Sequence, residues 1–213
     1  MAEKITVGIF DVGGVLNHFD RHSFHAGIIK ATGLVSTDQV EAYYELWPQV
    51  SRPLHTGKRP ERDISDQFKK LTGIDLQLLQ QPSDSPLTTV FSQISQPNTE
   101  TLTLVAEVQA NGLQTAIVSD STQPHASALE GSVIYELFDK RLRVLSHEVG
   151  FRKPDFEIYR EAIGRLGIKP SEAFFIDDVE KNVDAAIKLG MYGIVFQSAT
   201  QARTDLKKLG IKL

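Results

Sequence analysis

"ITVGIFDVGGVLN", residues 5–17, is a branched apolar run that stops at Asp11 and turns at Gly13-Gly14. A run this short, closed by turn residues, reads as a buried strand with an acid at its tip. Comparable runs recur at "QTAIVS" (114–119), "RLRVLS" (141–146), "AFFID" (173–177) and "YGIVF" (192–196). The segments "ETLTLVAEVQANG", "DFEIYREAIGRLGI" and "VEKNVDAAIKLG" have helical period and end in helix-stop residues. Strands alternating with helices predict an α/β fold, a parallel sheet with helices on both faces.

Residues 18 to about 95 break this rhythm. "DRHSFHAGIIKATG", "STDQVEAYYELWPQV" and "ERDISDQFKKLTG" are helical in pattern, and no strand stands out among them. The expected organisation is a core of 1–17 and 96–213 with a helical insert at 18–95. The stretches "QQPSDSP" (80–86) and "SQPNT" (95–99) are expected to act as hinge or connector.

With 213 residues, 41% of them hydrophobic, the chain can bury one substantial core and a small second one. A net charge of -4 argues against nucleic acid as a partner, because affinity for a phosphate backbone needs a basic surface. With no cysteine, disulfides and thiolate metal sites are excluded. The start, "MAEKITVGIFDVGG", has no long apolar signal core, and no later run reaches membrane-spanning length. A cytoplasmic setting away from membranes is expected.

Ligands of an open parallel sheet bind beyond the carboxyl ends of its strands. Four polar signals fall there: Asp11, Ser119, Lys153 and the pair Asp177-Asp178. Asp11 could serve only as a turn residue, and Ser119 could cap the next helix. Lys153 precedes Pro154, which is expected to hold the chain extended there and direct an otherwise mobile charge. Two adjacent acids exceed what one helix cap requires and repel each other unless a cation intervenes. With Asp11 they form an all-oxygen set suited to Mg²⁺. Carboxylates, hydroxyl and ammonium together describe a phosphoryl-transfer site.

The ordered motifs "FDVGGVLN", "AIVSDS", "GFRKPDFEIY" and "FFIDDVEKNVDAAIKLG" resemble the haloacid dehalogenase-like hydrolase superfamily. The likeness is to the branch with a helical cap inserted after the first motif, on a Rossmann-like core. It implies a nucleophilic Asp11 that passes through an aspartyl-phosphate, with Ser119 and Lys153 holding the phosphoryl oxygens. Asp178 and the Gly13 carbonyl would join Asp11 as Mg²⁺ ligands, with Asp177 behind them. Asp120 stands where relatives often carry Asn. It falls in the substrate-binding set with Ser119 and Lys153, although its charge favours a side chain turned from phosphate.

Phosphatases of this superfamily usually carry a second Asp, the general acid and base, at the position of Gly13. The Asp-x-Gly-Gly-Val pattern resembles the sugar-1-phosphate phosphatase branch, and the implied substrate is a small phosphorylated metabolite. Two alternatives stand beside it, a 2-haloacid dehalogenase and a lapsed enzyme that binds a ligand. Dehalogenases of the superfamily lack the acidic pair, which counts against the first. His22 and His25 could share a helix face but read as solvated, and His18 could substitute as a proton donor. "SRPLHTGKRPER" (51–62) is a solvated run or an anion-facing cap segment. Tyr43, Tyr44 and Trp47 are expected to pack the interior of the insert.

Overall fold

The protein is described from a computed structural model, in which residues 4–76 and 85–213 are placed. In chain order the elements are β1 (Val7–Phe10), β2 (Asn17–His18), α1 (Arg21–Thr32), α2 (Thr37–Leu54), α3 (Arg62–Thr72), α4 (Pro86–Ile94) and β3 (Gln96–Pro97). Then follow α5 (Thr99–Ala110), β4 (Gln114–Ser119), α6 (Gln123–Leu129), α7 (Val133–Glu136), β5 (Arg143–Leu145) and α8 (Ser146–Val149). The last are α9 (Phe156–Leu166), β6 (Ala173–Asp177), α10 (Glu180–Lys188), β7 (Tyr192–Val195) and α11 (Ala199–Lys208).

Five parallel strands form a sheet in the order β5-β4-β1-β6-β7, so all five strands expected from sequence are present. Because β1 is buried on both faces, all of its residues are apolar or glycine. One face packs Phe10, Ile117, Phe174 and Ile176 against Leu104, Val105 and Leu206. The other packs Ile9, Val118 and Phe175 against Ile158, Tyr159 and Ala186.

The helical segment has a hydrophobic cluster of its own, built from Phe24, Ile28, Tyr43, Val50, Phe68 and Val90. Asp20 caps α1 through the His22 and Ser23 amides, and a Ser36–Gln39 capping box starts α2. Helix α2 runs to Leu54, past Pro48 and Pro53, further than its sequence pattern indicates. Tertiary packing at Tyr43, Trp47 and Val50 outweighs the missing amide hydrogen bonds. A two-residue antiparallel ribbon, β2 with β3, joins the two chain crossings at 17–18 and 96–97. In sequence this ribbon looks like plain connector, since two residues carry no strand period. The other expected connector, 80–86, lies outside the described residues up to 84, while Ser85 caps α4.

Candidate active site

The register brings the signals together. Phe10 of β1 lies opposite both Ile117 of β4 and Ile176 of β6. Asp11 and Asp177 therefore follow at neighbouring strand tips, and the Asp11 amide donates to the Ile176 carbonyl at 2.9 Å. Ser119 ends β4 on the other side of β1 and is 2% exposed. It does not cap α6; Thr122 does. Strand order reverses around β1, which places the crevice at its carboxyl end.

Lys153 enters from the loop before α9. Its Nζ lies 2.6 Å from Asp11 Oδ1 and 2.6 Å from Asp177 Oδ2, with the lysine only 3% exposed. One ammonium thus bridges two carboxylates out of reach of bulk water. The Lys153–Pro154 peptide is cis, and the two residues form a turn closed by the Asp155 amide on the Arg152 carbonyl, where an extended chain was expected. Asp177 is fully buried and saturated: Oδ1 accepts from the Val179 amide at 2.8 Å, and Asn182 Nδ2 donates to both oxygens at 3.1 Å. Val179, not an aspartate, is the N-cap residue of α10.

Burial pushes the Asp11 carboxyl up to about 7, against the pull of Lys153, with Asp177 adding to the rise. Asp178 is also raised, first by partial burial and then by Asp177. The Lys153 ammonium stays charged because Asp11 and Asp177 outweigh its desolvation.

Oxygen atoms of Asp11, Asp177 and Asp178 lie within 4.8 Å of one another. This all-carboxylate set has the hard-donor chemistry that Mg²⁺ selects. Gly14, at φ 81°, leaves the space that the exposed Asp178 carboxylate occupies, since a Cβ there would fall on Asp178 Oδ2. The residues present therefore fit the implied cation.

Gly13 is different. Its φ is not in the left-handed region, and a Cβ added there would have Phe19 Cβ as its nearest neighbour, 3.9 Å away. The backbone does not require glycine at 13. Beside Asp178 opens a cleft of about 530 Å³ lined by Gly14, His18, Glu100 and Ser198. His18, the substitute donor considered from sequence, stands on this cleft.

Asp120 points at protein, not into open space. Its Oδ1 accepts from the Lys153 amide at 2.8 Å, and Oδ2 pairs with Arg152 Nη2 at 3.0 Å. Asn182, Arg152 and Gly14 join the site without having been singled out by the sequence pattern. Asn182 had a usable signal, a polar residue five places after Asp177 in an otherwise core-facing pattern. Arg152 had none, since its partner is 32 residues away.

Where the helical segment meets the core, three half-buried histidines gather: His55 after α2, His125 on α6 and His147 on α8. His125 stacks on Phe91 at 4.7 Å, and His147 Nδ1 is 2.9 Å from Ser121 Oγ. Burial pushes His125 and His147 down to about 4, and His55 in the same direction. The 51–62 run therefore meets the core at His55 and Gly57, the latter against the His147 carbonyl, while Arg52 and Lys58 stay exposed. His25, expected to be solvated, is instead buried and bonded to Tyr43 Oη at 2.8 Å. Tyr43 and Trp47 join it in one aromatic cluster.

A sequence profile described as haloacid dehalogenase-like hydrolase matches residues 5–190. The chain belongs to this family of hydrolases. Among curated proteins it is 25% identical over 213 residues to a sesquiterpene phosphatase of Aspergillus oryzae, covering 98% of both chains. It is 47% identical over 64 residues to flavin mononucleotide hydrolase 1 of Arabidopsis thaliana. That match spans 30% of this chain and only 26% of the plant protein. The fold is shared with a family enzyme of Bacteroides thetaiotaomicron, solved as a variant with magnesium and inorganic phosphate. The TM-score is 0.70 at 21% identity, covering 91% of this chain and 94% of that one. Among the described residues no helix is long and apolar enough to cross a membrane.

Proposed function

We propose that the protein is a Mg²⁺-dependent phosphatase of small phosphorylated metabolites, with Asp11 as nucleophile and residues 18–95 as a cap over the site. The observation that carries this reading is the single Lys153 ammonium between Asp11 and Asp177, beside Asp178 at the sheet's carboxyl edge. The names of curated relatives, a sesquiterpene phosphatase and a flavin mononucleotide hydrolase, support it.

An Asp11 oxygen attacks phosphorus as the ester P–O bond breaks, leaving phosphorylated Asp11 and the free alcohol. Ser119 and Lys153 hold the phosphoryl oxygens, and Asp177 with Asn182 keeps Lys153 aimed. Water then attacks phosphorus, releasing orthophosphate and restoring the carboxylate. Asp11, Asp178 and the Gly13 carbonyl, with Asp177 behind, would hold Mg²⁺, which would supply charge neutralisation at the phosphoryl group. Because Gly13 offers no proton, the leaving oxygen takes one from water or from a group such as His18. A positioned acid is worth roughly 10²–10⁴-fold, so substrates that leave readily, including anomeric sugar phosphates and aryl phosphates, are favoured over alkyl phosphates.

The test is a panel of phosphorylated metabolites with Mg²⁺, run beside a chelator control, Asp11→Asn and chloroacetate. Turnover lost with the chelator and in Asp11→Asn, and falling steeply with leaving-group pKa, supports the reading. Chloride release in excess chelator would instead favour a dehalogenase, and tight ligand binding without turnover a lapsed enzyme.

A further inference from the structure

The loop that delivers Lys153 has little to hold it. Phe151 is 45% exposed, and the Arg152 and Asp155 amides bond within the loop, to Asp155 Oδ2 at 3.4 Å and the Arg152 carbonyl at 2.8 Å. Yet a flexible four-carbon side chain from this loop must reach two carboxylates at once. Apart from the Lys153 ammonium itself, the loop is tied to the core through Asp120, directly after Ser119. One of its oxygens takes the Lys153 amide and the other the Arg152 guanidinium, through Nε at 3.2 Å and Nη2 at 3.0 Å.

We infer that Asp120 is a positioning residue, which locks the Lys153 backbone to the tip of β4 and so sets the ammonium between Asp11 and Asp177. This rests on the phosphatase reading above. Both carboxylate oxygens are engaged by the loop, and their charge is the wrong sign to receive phosphate. Ser119 and Lys153, which come from segments 34 residues apart in sequence, are thereby held in one frame. The Arg152–Asp120 pair is partly open to solvent, 40% and 22% exposed at the side chains, so the amide bond is the geometric anchor and the ion pair a brace.

The test compares Asp120→Ala with Asp120→Asn, whose amide oxygen still accepts from the Lys153 N–H. Asp120→Ala is expected to lower kcat by about 10–100-fold with KM nearly unchanged, as for a misplacement on the order of an ångström. Asp120→Asn should stay within about fivefold of wild type. Amide hydrogen exchange at Lys153, measured without substrate, should quicken in Asp120→Ala and not in Asp120→Asn. Unchanged exchange in Asp120→Ala overturns the anchor whatever the activity. Asp120→Asn as slow as Asp120→Ala, or a loss confined to KM, overturns it too. A wild type inert across the whole phosphate panel overturns the phosphatase reading instead, a result distinct from an active wild type matched by Asp120→Ala.

Discussion

Two groups of ionisable side chains lie close together in this molecule and solve burial in opposite ways. Asp11, Lys153 and Asp177 sink three charge-bearing groups into the core and meet each with its opposite at 2.6 Å. His55, His125 and His147 gather bases of one kind, and burial keeps them unprotonated. A buried charge survives where a partner offsets its lost hydration; otherwise the group gives up the charge. The first arrangement keeps the Lys153 ammonium charged between its carboxylates, and the second leaves uncharged imidazoles where the helical segment meets the core.

The largest effect should come from removing the shared cation. Lys153→Met leaves two buried carboxylates facing each other, and losing one partner of a buried pair costs about 3–5 kcal/mol. Thermal unfolding should show the loss, and adding Asp177→Asn in the same chain should return part of it. An unchanged melting temperature in Lys153→Met would break the contrast with the histidines.

A smaller effect should separate the two glycines of the first motif. Gly14→Ala puts a Cβ in a left-handed conformation and onto Asp178, so it should cost about 1–3 kcal/mol and blunt stabilisation by added Mg²⁺. Gly13→Ala meets only ordinary contact with Phe19 and should change stability by about 0.5 kcal/mol or less. Equal melting temperatures, with and without Mg²⁺, would show that Asp178 is not held against Gly14.

The smallest effect is a slope with pH. His125 sits at about 4 when folded and near 6.5 when unfolded, so only the unfolded chain binds its proton between those values. Its contribution is therefore nil above pH 6.5, and the folded state loses stability as pH falls towards 4. His125→Phe keeps the stack on Phe91 and removes the titration. Its stability should fall less steeply in that window, by on the order of 1 kcal/mol, or about 2–4 °C in melting temperature. Parallel curves for variant and wild type would mean that His125 is not buried unprotonated.

Local pattern was enough where one element decides the outcome. The apolar runs that end at Asp11, Ser119 and Asp177 read as short buried strands bounded by turn residues, and the structure has strands there with the acids and hydroxyl at their tips. The helical patterns quoted for 20–33 and 61–73 likewise match α1 and α3, which Gly33 and Gly73 end in the left-handed conformation. His25 shows where such reading fails: its helix position was visible, but its burial depends on Tyr43, eighteen residues away. Helix α11 gives no clear signal in sequence because its residues are mostly polar and only Ala199, Ala202 and Leu206 face the core.

Strand–helix alternation, the helical insert after the first strand and the identity of the groups that carry charge are all readable along the chain. These follow from hydrophobic period and turn chemistry, which act over a few residues. That Lys153 bridges Asp11 and Asp177, that Asp120 grips the Lys153 loop and that three distant histidines share one contact emerges with the folded chain alone. Each joins segments brought together by strand order and register, and no local spacing encodes which loop a side chain will meet.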